Sequence, residues 1–230
     1  MPSVAVFGQT IAVTWLSDTA GTVRIRSSAN GGSTWSATTS LGSGAVDRPS
    51  ISIAAGRIGV VWTDGVGPIV LVQSSSVWGA PVFVPTPAKR SLGGQFVDSY
   101  SPQLALFGTS TIGVAWSACW QDCVSYDTQT QVDVLWAESS TNGATWVTPD
   151  DASPAFPYLG LRDDASIVWP AAGTRLVLLN AYGATDRLLV VAGTSDGAVP
   201  AGSPTTRHSR GSQGASGVRE PIGASGAFAR

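Results

Sequence analysis

Three stretches decide the fold: Ile11-Ala12-Val13-Thr14-Trp15, Ile58-Gly59-Val60-Val61-Trp62 and Ile112-Gly113-Val114-Ala115-Trp116. Each sets Ile, Val and Trp at alternate positions, the period-2 signature of a strand. Upstream of each stands a second alternating run, Pro2-Ser3-Val4-Ala5-Val6, Pro49-Ser50-Ile51-Ser52-Ile53 and Pro102-Gln103-Leu104-Ala105-Leu106. Downstream come Val23-Arg24-Ile25-Arg26-Ser27, Ile69-Val70-Leu71-Val72-Gln73 and Val132-Asp133-Val134-Leu135-Trp136, each followed by a late Trp at 35, 78 or 146. A looser fourth copy runs through Ser166-Ile167-Val168-Trp169, Leu176-Val177-Leu178-Leu179 and Leu188-Leu189-Val190-Val191.

Each unit holds three clear strands, and a fourth follows the late Trp, as in Pro81-Val82-Phe83-Val84. Four short strands in about 45–50 residues is the period of a propeller blade. One such sheet cannot bury both faces alone, so neighbouring units must stack. The expected fold is therefore an all-β propeller of four-stranded antiparallel blades, about four of them, near 2–47, 48–100, 101–160 and 161–202. Residues 203–230, rich in Gly, Ser, Ala and Arg without alternation, read as a disordered tail. The repeat position of Trp15, Trp62, Trp116, Trp35, Trp78 and Trp146 points to packing. Trp120, Trp136 and Trp169 fall outside the register, and Trp120 is expected in a loop.

Composition narrows the function classes. Only 12% of the 230 residues are charged. Residues 1–202 hold nine Lys/Arg against fourteen Asp/Glu, a net of −5. Such a body offers no electrostatic case for nucleic acid. No apolar run reaches the ~20 residues of a membrane span. No cofactor motif and no metal-ligand cluster stands in the sequence. Cys119 and Cys123, four apart, read as a small loop disulfide or as two free thiols. The strand pattern begins at Val4 with no signal peptide before it. The protein is thus expected to be cytoplasmic, or else extracellular or at the cell surface with its export signal outside this sequence.

Ser28-Ala29-Asn30-Gly31-Gly32-Ser33-Thr34-Trp35 resembles the Asp-box pattern S-x-D-x-G-x-T-W of the BNR repeats in sialidase-like propellers. Ser139-Ser140-Thr141-Asn142-Gly143-Ala144-Thr145-Trp146 is a second copy, Ser74-Ser75-Ser76-Val77-Trp78 looks like a shortened one, and Thr194-Ser195-Asp196-Gly197 like the start of a fourth. Asn30 and Thr141 stand where Asp is usual, yet both side chains can close a turn on their own backbone. The resemblance implies that Ser28, Asn30, Gly32, Thr34 and Trp35, and likewise Ser139, Thr141, Gly143, Thr145 and Trp146, are structural. It also implies a six-bladed ring, with its active face opposite the boxes.

That active face is made of the blade-to-blade linkers and the loops between second and third strands. On this reading it holds Asp47, Arg48, Asp98, Tyr100, Arg162, Asp163 and Asp164 in linkers, and Asp18, Asp64, Asp122, Asp127 and Asp186 in loops. The resemblance makes Asp64 the candidate acid/base and Tyr100 (or Tyr182) the candidate nucleophile. Arg48 and Arg162 are candidate carboxylate-binding groups, with Asp47, Asp98, Asp163 and Trp120 as further substrate contacts. Such an enzyme also needs a Glu beside its Tyr. The only Glu before residue 203 is Glu138, just ahead of a box and so expected on the wrong face. The functional expectation is a non-catalytic glycan- or protein-binding module of an exported protein, with an exo-α-sialidase or its remnant as the alternative. Self-association through open propeller edges is a further expected partner mode.

Overall fold

The computed structural model describes residues 2–86, 98–119, 132–147, 150–151, 166–171, 174–181 and 187–194. Among these, every regular element is a β-strand. The first sheet is β1 (Ser3–Phe7), β2 (Thr10–Leu16), β3 (Val23–Ser28) and β4 (Thr39–Gly42), joined in that order. The second is β5 (Ser50–Ala54), β6 (Arg57–Thr63) and β7 (Pro68–Ser74), closed by β8 (Val77–Trp78) and β9 (Val82–Phe83). The third is β10 (Asp98–Phe107), β11 (Thr111–Cys119), β12 (Val132–Ser139) and β13 (Asp150–Asp151). The fourth is β14 (Ser166–Ala171), β15 (Thr174–Ala181) and β16 (Arg187–Thr194). All pairings are antiparallel, so each sheet is a meander.

The sheets stack as blades. Ala12, Val23 and Ile25 of the first pack on Ile51, Ile58, Val60, Trp62, Ile69 and Leu71 of the second. The opposite face of the second, through Val61 and Val70, packs on Leu104, Leu106, Ile112, Val114, Trp116 and Leu135 of the third. Strand β6, squeezed from both sides, is buried at every residue. Burying each Ile or Val of this kind contributes about 2 kcal/mol. First strands run side by side: β1 against β5, β5 against β10, β10 against β14. An innermost strand has no ladder partner on its free edge. Here the preceding blade supplies one: Leu104 and Leu106 donate their backbone N–H groups to the hydroxyls of Ser50 (3.4 Å) and Ser52 (3.0 Å).

The Ile-Gly-Val-x-Trp grammar follows from this stacking. A Cβ on Gly59 would lie 2.8 Å from Cδ2 of Leu104, so the next blade's first strand occupies the space of a side chain. Trp62 lies over Gly42 of the preceding blade, where a Cβ would sit 2.7 Å from its Cζ2. Trp62 and Trp116 are fully buried, whereas Trp15, Trp78 and Trp146 are half-buried. Trp35 differs from expectation at 38% exposed. It belongs to the first blade, whose outward face no described residue covers. Trp136, outside the Trp register, is nonetheless buried.

Two boundaries differ from the sequence reading. Asp98–Tyr100 were placed in a linker, but they extend β10 and pair with Cys119, Ala118 and Ser117. A register shift between Tyr100 and Gln103 makes this possible. It gives Ser101 a left-handed φ of 50° and seats Pro102, which has no N–H, off the regular ladder. The shortened box at Ser74–Trp78 is a two-residue hairpin: Ser74 faces Val77, and Ser75 and Ser76 take φ of 50° and 64°. Its outer strand breaks at Gly79–Pro81 and resumes as β9, so the second blade remains four strands wide. The expected tail at 203–230 lies outside the described residues.

Candidate functional site

Each blade has two ends. At one, the base, first-to-second and third-to-fourth strand turns meet. The Gly31 N–H donates to the Gln9 carbonyl, and the Asn142 N–H to that of Ser110, both at 2.8 Å. The Ser28–Trp35 and Ser139–Trp146 segments are built alike here. The Ser28 hydroxyl accepts from the N–H groups of Asn30 (3.3 Å) and Gly32 (2.9 Å). That of Ser139 accepts from Thr141 (3.2 Å) and Gly143 (2.8 Å). Oδ1 of Asn30 accepts from the Thr34 N–H at 2.9 Å, and Oγ1 of Thr141 from the Thr145 N–H at 2.8 Å. One threonine hydroxyl thus takes the place of a carboxamide oxygen. Gly32 and Gly143 share a φ of 91°, which a side chain would strain.

Arg57 ties this end together across blades. It is buried; Nη1 donates to Oδ1 of Asn142 (2.9 Å) and Nη2 to the carbonyls of Phe107, Gly108 and Thr111 (2.8–3.1 Å). Desolvation lowers its pKa from the ordinary arginine value. Sequence reasoning missed Arg57. Its one signal is a charged residue where the other blades carry Thr10 and Thr111, directly before the apolar run Ile58–Trp62. Glu138 is the penultimate residue of β12, at the base, buried, its carbonyl accepting from the Val147 N–H.

The opposite end, the rim, holds the second-to-third strand loops and the linkers. Gly44 and Ala45 of the first linker donate to the carbonyls of Ala20 and Gly21, and Val46 donates to Thr63. Asp18, Asp47, Arg48 and Asp64 therefore share this end. Each of the three carboxylates faces backbone. Oδ1 of Asp18 accepts from the N–H groups of Ala20 and Thr22, both at 3.1 Å. These bonds, Thr22 foremost, hold its carboxyl below the ordinary aspartate pKa of 3.8. Oδ1 of Asp64 accepts from Val66 (3.0 Å) and Gly67 (3.3 Å). Asp47 joins two blades: Oδ1 accepts from the Arg48 N–H and Oδ2 from the Ser101 N–H, both at 2.6 Å, with the Ser101 hydroxyl at 3.2 Å. Ser101, buried and left-handed, was also missed from sequence.

The Arg48 side chain is exposed at this rim. Asp98 and Tyr100 enter the third blade beside Ser101, in β10. Trp120, Asp122, Cys123, Asp127, Arg162, Asp163, Asp164, Tyr182 and Asp186 lie outside the described residues, so the Cys119–Cys123 pair is described only at Cys119, the end of β11. Arg24 and Arg26 stand on the first blade's outward face, and Nε of Arg26 donates to the Ser36 carbonyl at 2.9 Å. Among the described residues, no group of three His, Cys, Asp or Glu could hold a metal ion. No described helix is long and apolar enough to cross a membrane.

No protein-family model matches the chain, and no curated protein matches it. Solved structures do. A Hadza microbial sialidase superposes with a TM-score of 0.51 at 12% identity, over 84% of this chain and 45% of that one. A bifunctional GH43-CE protein from Bacteroides eggerthii gives 0.52 at 13%, over 84% and 26%. The fold is a β-propeller. An ulvan lyase of family PL25, solved bound to -[GlcA(1-4)Rha3S]-, gives 0.53 at 14%, over 85% and 56%. At such identities the likeness is one of fold. The chain spans less than half the length of the sialidase and about a quarter of the GH43-CE protein.

Proposed function

We propose that this propeller is a sialidase-like Asp-box module that binds glycans without cleaving them, within an exported protein at the cell surface. The observation that carries the non-catalytic reading is the commitment of the rim acids. Asp18, Asp47 and Asp64 each spend a carboxylate oxygen on two backbone N–H groups or on a joint between blades. A general acid or base must instead be free to reach substrate. Glu138, the carboxylate that would activate a tyrosine nucleophile, lies near the base end of its strand. The Asp-box assignment draws on the matched hydrogen bonds of the Ser28–Trp35 and Ser139–Trp146 turns. The glycan assignment draws on the sugar chemistry named for the sialidase and the ulvan lyase.

In this reading the rim around Arg48, Asp98 and Tyr100 is the binding face. Arg48, together with Arg162, pairs with acidic sugars, and Trp120 and Asp163 add contacts. The test is a glycan array run beside a fluorogenic sialoside assay on the same preparation. Binding to acidic glycans, weakened by Arg48→Ala, with no turnover is expected. Turnover lost in Asp64→Asn would replace the proposal with the exo-α-sialidase reading. An array blank in every channel would remove the glycan assignment.

A further inference from the structure

The sequence holds two Asn-Gly pairs, Asn30-Gly31 and Asn142-Gly143, and both stand at the base. In such a pair the glycine nitrogen can attack the asparagine side chain, because no Cβ hinders the approach. The two asparagines are held alike. Oδ1 of Asn30 accepts from the Ser28 hydroxyl and the Thr34 N–H, both at 2.9 Å. Oδ1 of Asn142 accepts from Nη1 of Arg57, also at 2.9 Å. Both residues are exposed. The attacking nitrogens differ. Gly143 is buried, and its N–H donates to the hydroxyl of Ser139, itself 1% exposed. Gly31 is exposed, and its N–H donates to the carbonyl of Gln9, which is exposed as well.

We infer that Asn30 is a site of spontaneous deamidation in the folded chain, while Asn142, with the same glycine neighbour, is protected by burial. The reaction begins when hydroxide takes the Gly31 amide proton, giving water. An exposed hydrogen bond opens for this by local fluctuation, whereas a buried one opens only with the blade. The nitrogen anion then bonds to Cγ of Asn30, and negative charge moves to Oδ1. As the tetrahedral centre collapses, the Cγ–Nδ2 bond breaks and Nδ2 leaves as ammonia, with a proton from water. A cyclic imide now joins residues 30 and 31. Water opens that ring in one of two ways. Breaking the new Cγ–N bond leaves an aspartate at position 30 in an ordinary chain. Breaking the backbone C–N bond leaves an isoaspartate, with the chain running through Cβ. One water is consumed and one ammonia released.

The turn accepts the first of these products. A carboxylate at position 30 still offers an oxygen to Ser28 and Thr34. Nδ2 of Asn30 donates to Oγ1 of Thr34 at 2.9 Å, and that hydroxyl can reverse its role and donate to the second carboxylate oxygen. An isoaspartate instead adds a backbone carbon between the N–H groups of Asn30 and Gly32, which share the Ser28 hydroxyl, and so parts them. Conversion to aspartate thus adds one negative charge to the first blade while its turn stays closed.

The experiment incubates the full chain at mildly alkaline pH, in buffer and in strong denaturant, and follows peptides covering both sites by mass spectrometry. In buffer, position 30 should convert at least roughly tenfold faster than position 142, because only the exposed amide meets base without unfolding. In denaturant the two rates should approach each other, since both pairs are Asn-Gly. Ser139→Ala removes the acceptor of the Gly143 N–H and should raise the rate at position 142 in buffer, with circular dichroism confirming the fold. Asn30→Asp should melt with the native chain. Position 30 left unmodified in buffer overturns the inference. So does conversion at position 142 as fast as at position 30, or a difference that persists in denaturant. A rate at position 142 unmoved by Ser139→Ala, or an Asn30→Asp chain that melts well below the native one, would count against it equally.

Discussion

The base and the rim of this propeller use the same small polar residues, yet their hydrogen bonds reach different distances. At the base, Arg57 of the second blade grips carbonyls and Asn142 of the third, and the Ser28–Trp35 and Ser139–Trp146 turns lean on the neighbouring hairpins of their own blades. The Arg57 bonds are partly buried, and there a lost partner leaves a group poorly solvated and unpaired. At the rim, Asp18 and Asp64 close loops on residues two to four positions away, in solvent. Of these three described acids, Asp47 reaches another blade, through Ser101. The base is thus built as shared architecture and the rim as separate loops, which leaves the rim free to vary. Loop side chains in such a rim can change without loosening the stack.

The comparison breaks most sharply at Arg57. Arg57→Ala strands four acceptors at the base and should cost about 3–4 kcal/mol, read by chemical denaturation. Gly59→Leu should follow at about 2–3 kcal/mol, because its side chain would enter the space of Leu104 and Leu106. Ser139→Ala removes the acceptor of two N–H groups, one of them buried. A loss of about 1–2 kcal/mol is expected there. At the rim, Asp64→Ala should cost less, about 0.5–1 kcal/mol. A rim substitution that costs more than Arg57→Ala would erase the distinction.

The smallest effect is a pH dependence. The folded-state pKa of Asp18 lies below its ordinary 3.8. Its contribution to stability is therefore complete above that value and is lost as the pH falls through the lowered one. Melting curves of the native chain and Asp18→Ala should converge in that acid range and differ slightly above it.

Much of the fold was legible because stacking leaves a local trace. Alternating Ile, Val and Trp, with Gly at position 59, encode a strand pressed on both faces. The turns at Ser28–Trp35 and Ser139–Trp146 were legible because Ser28 and Asn30, or Ser139 and Thr141, bond within a few residues of themselves. What escaped depends on partners some 50 or more residues away. Nothing near Arg57 in sequence names Asn142, and nothing near Asp47 names Ser101. The bulge that draws Asp98 and Tyr100 into β10 likewise follows from a contact between blades. The rim acids were visible as a set, but their engagement by backbone N–H groups shows only in three dimensions.

Amide hydrogen exchange on the native chain tests the division between base and rim most directly. The N–H groups of Gly143 at the base and of Leu104 between two blades, whose bonds are buried, should exchange among the slowest, near the rate set by global unfolding. Those of Ala20, Thr22 and Val66, bonded in solvent, should exchange orders of magnitude faster. Equal protection at both ends, or faster exchange at Leu104 and Gly143, would contradict the account.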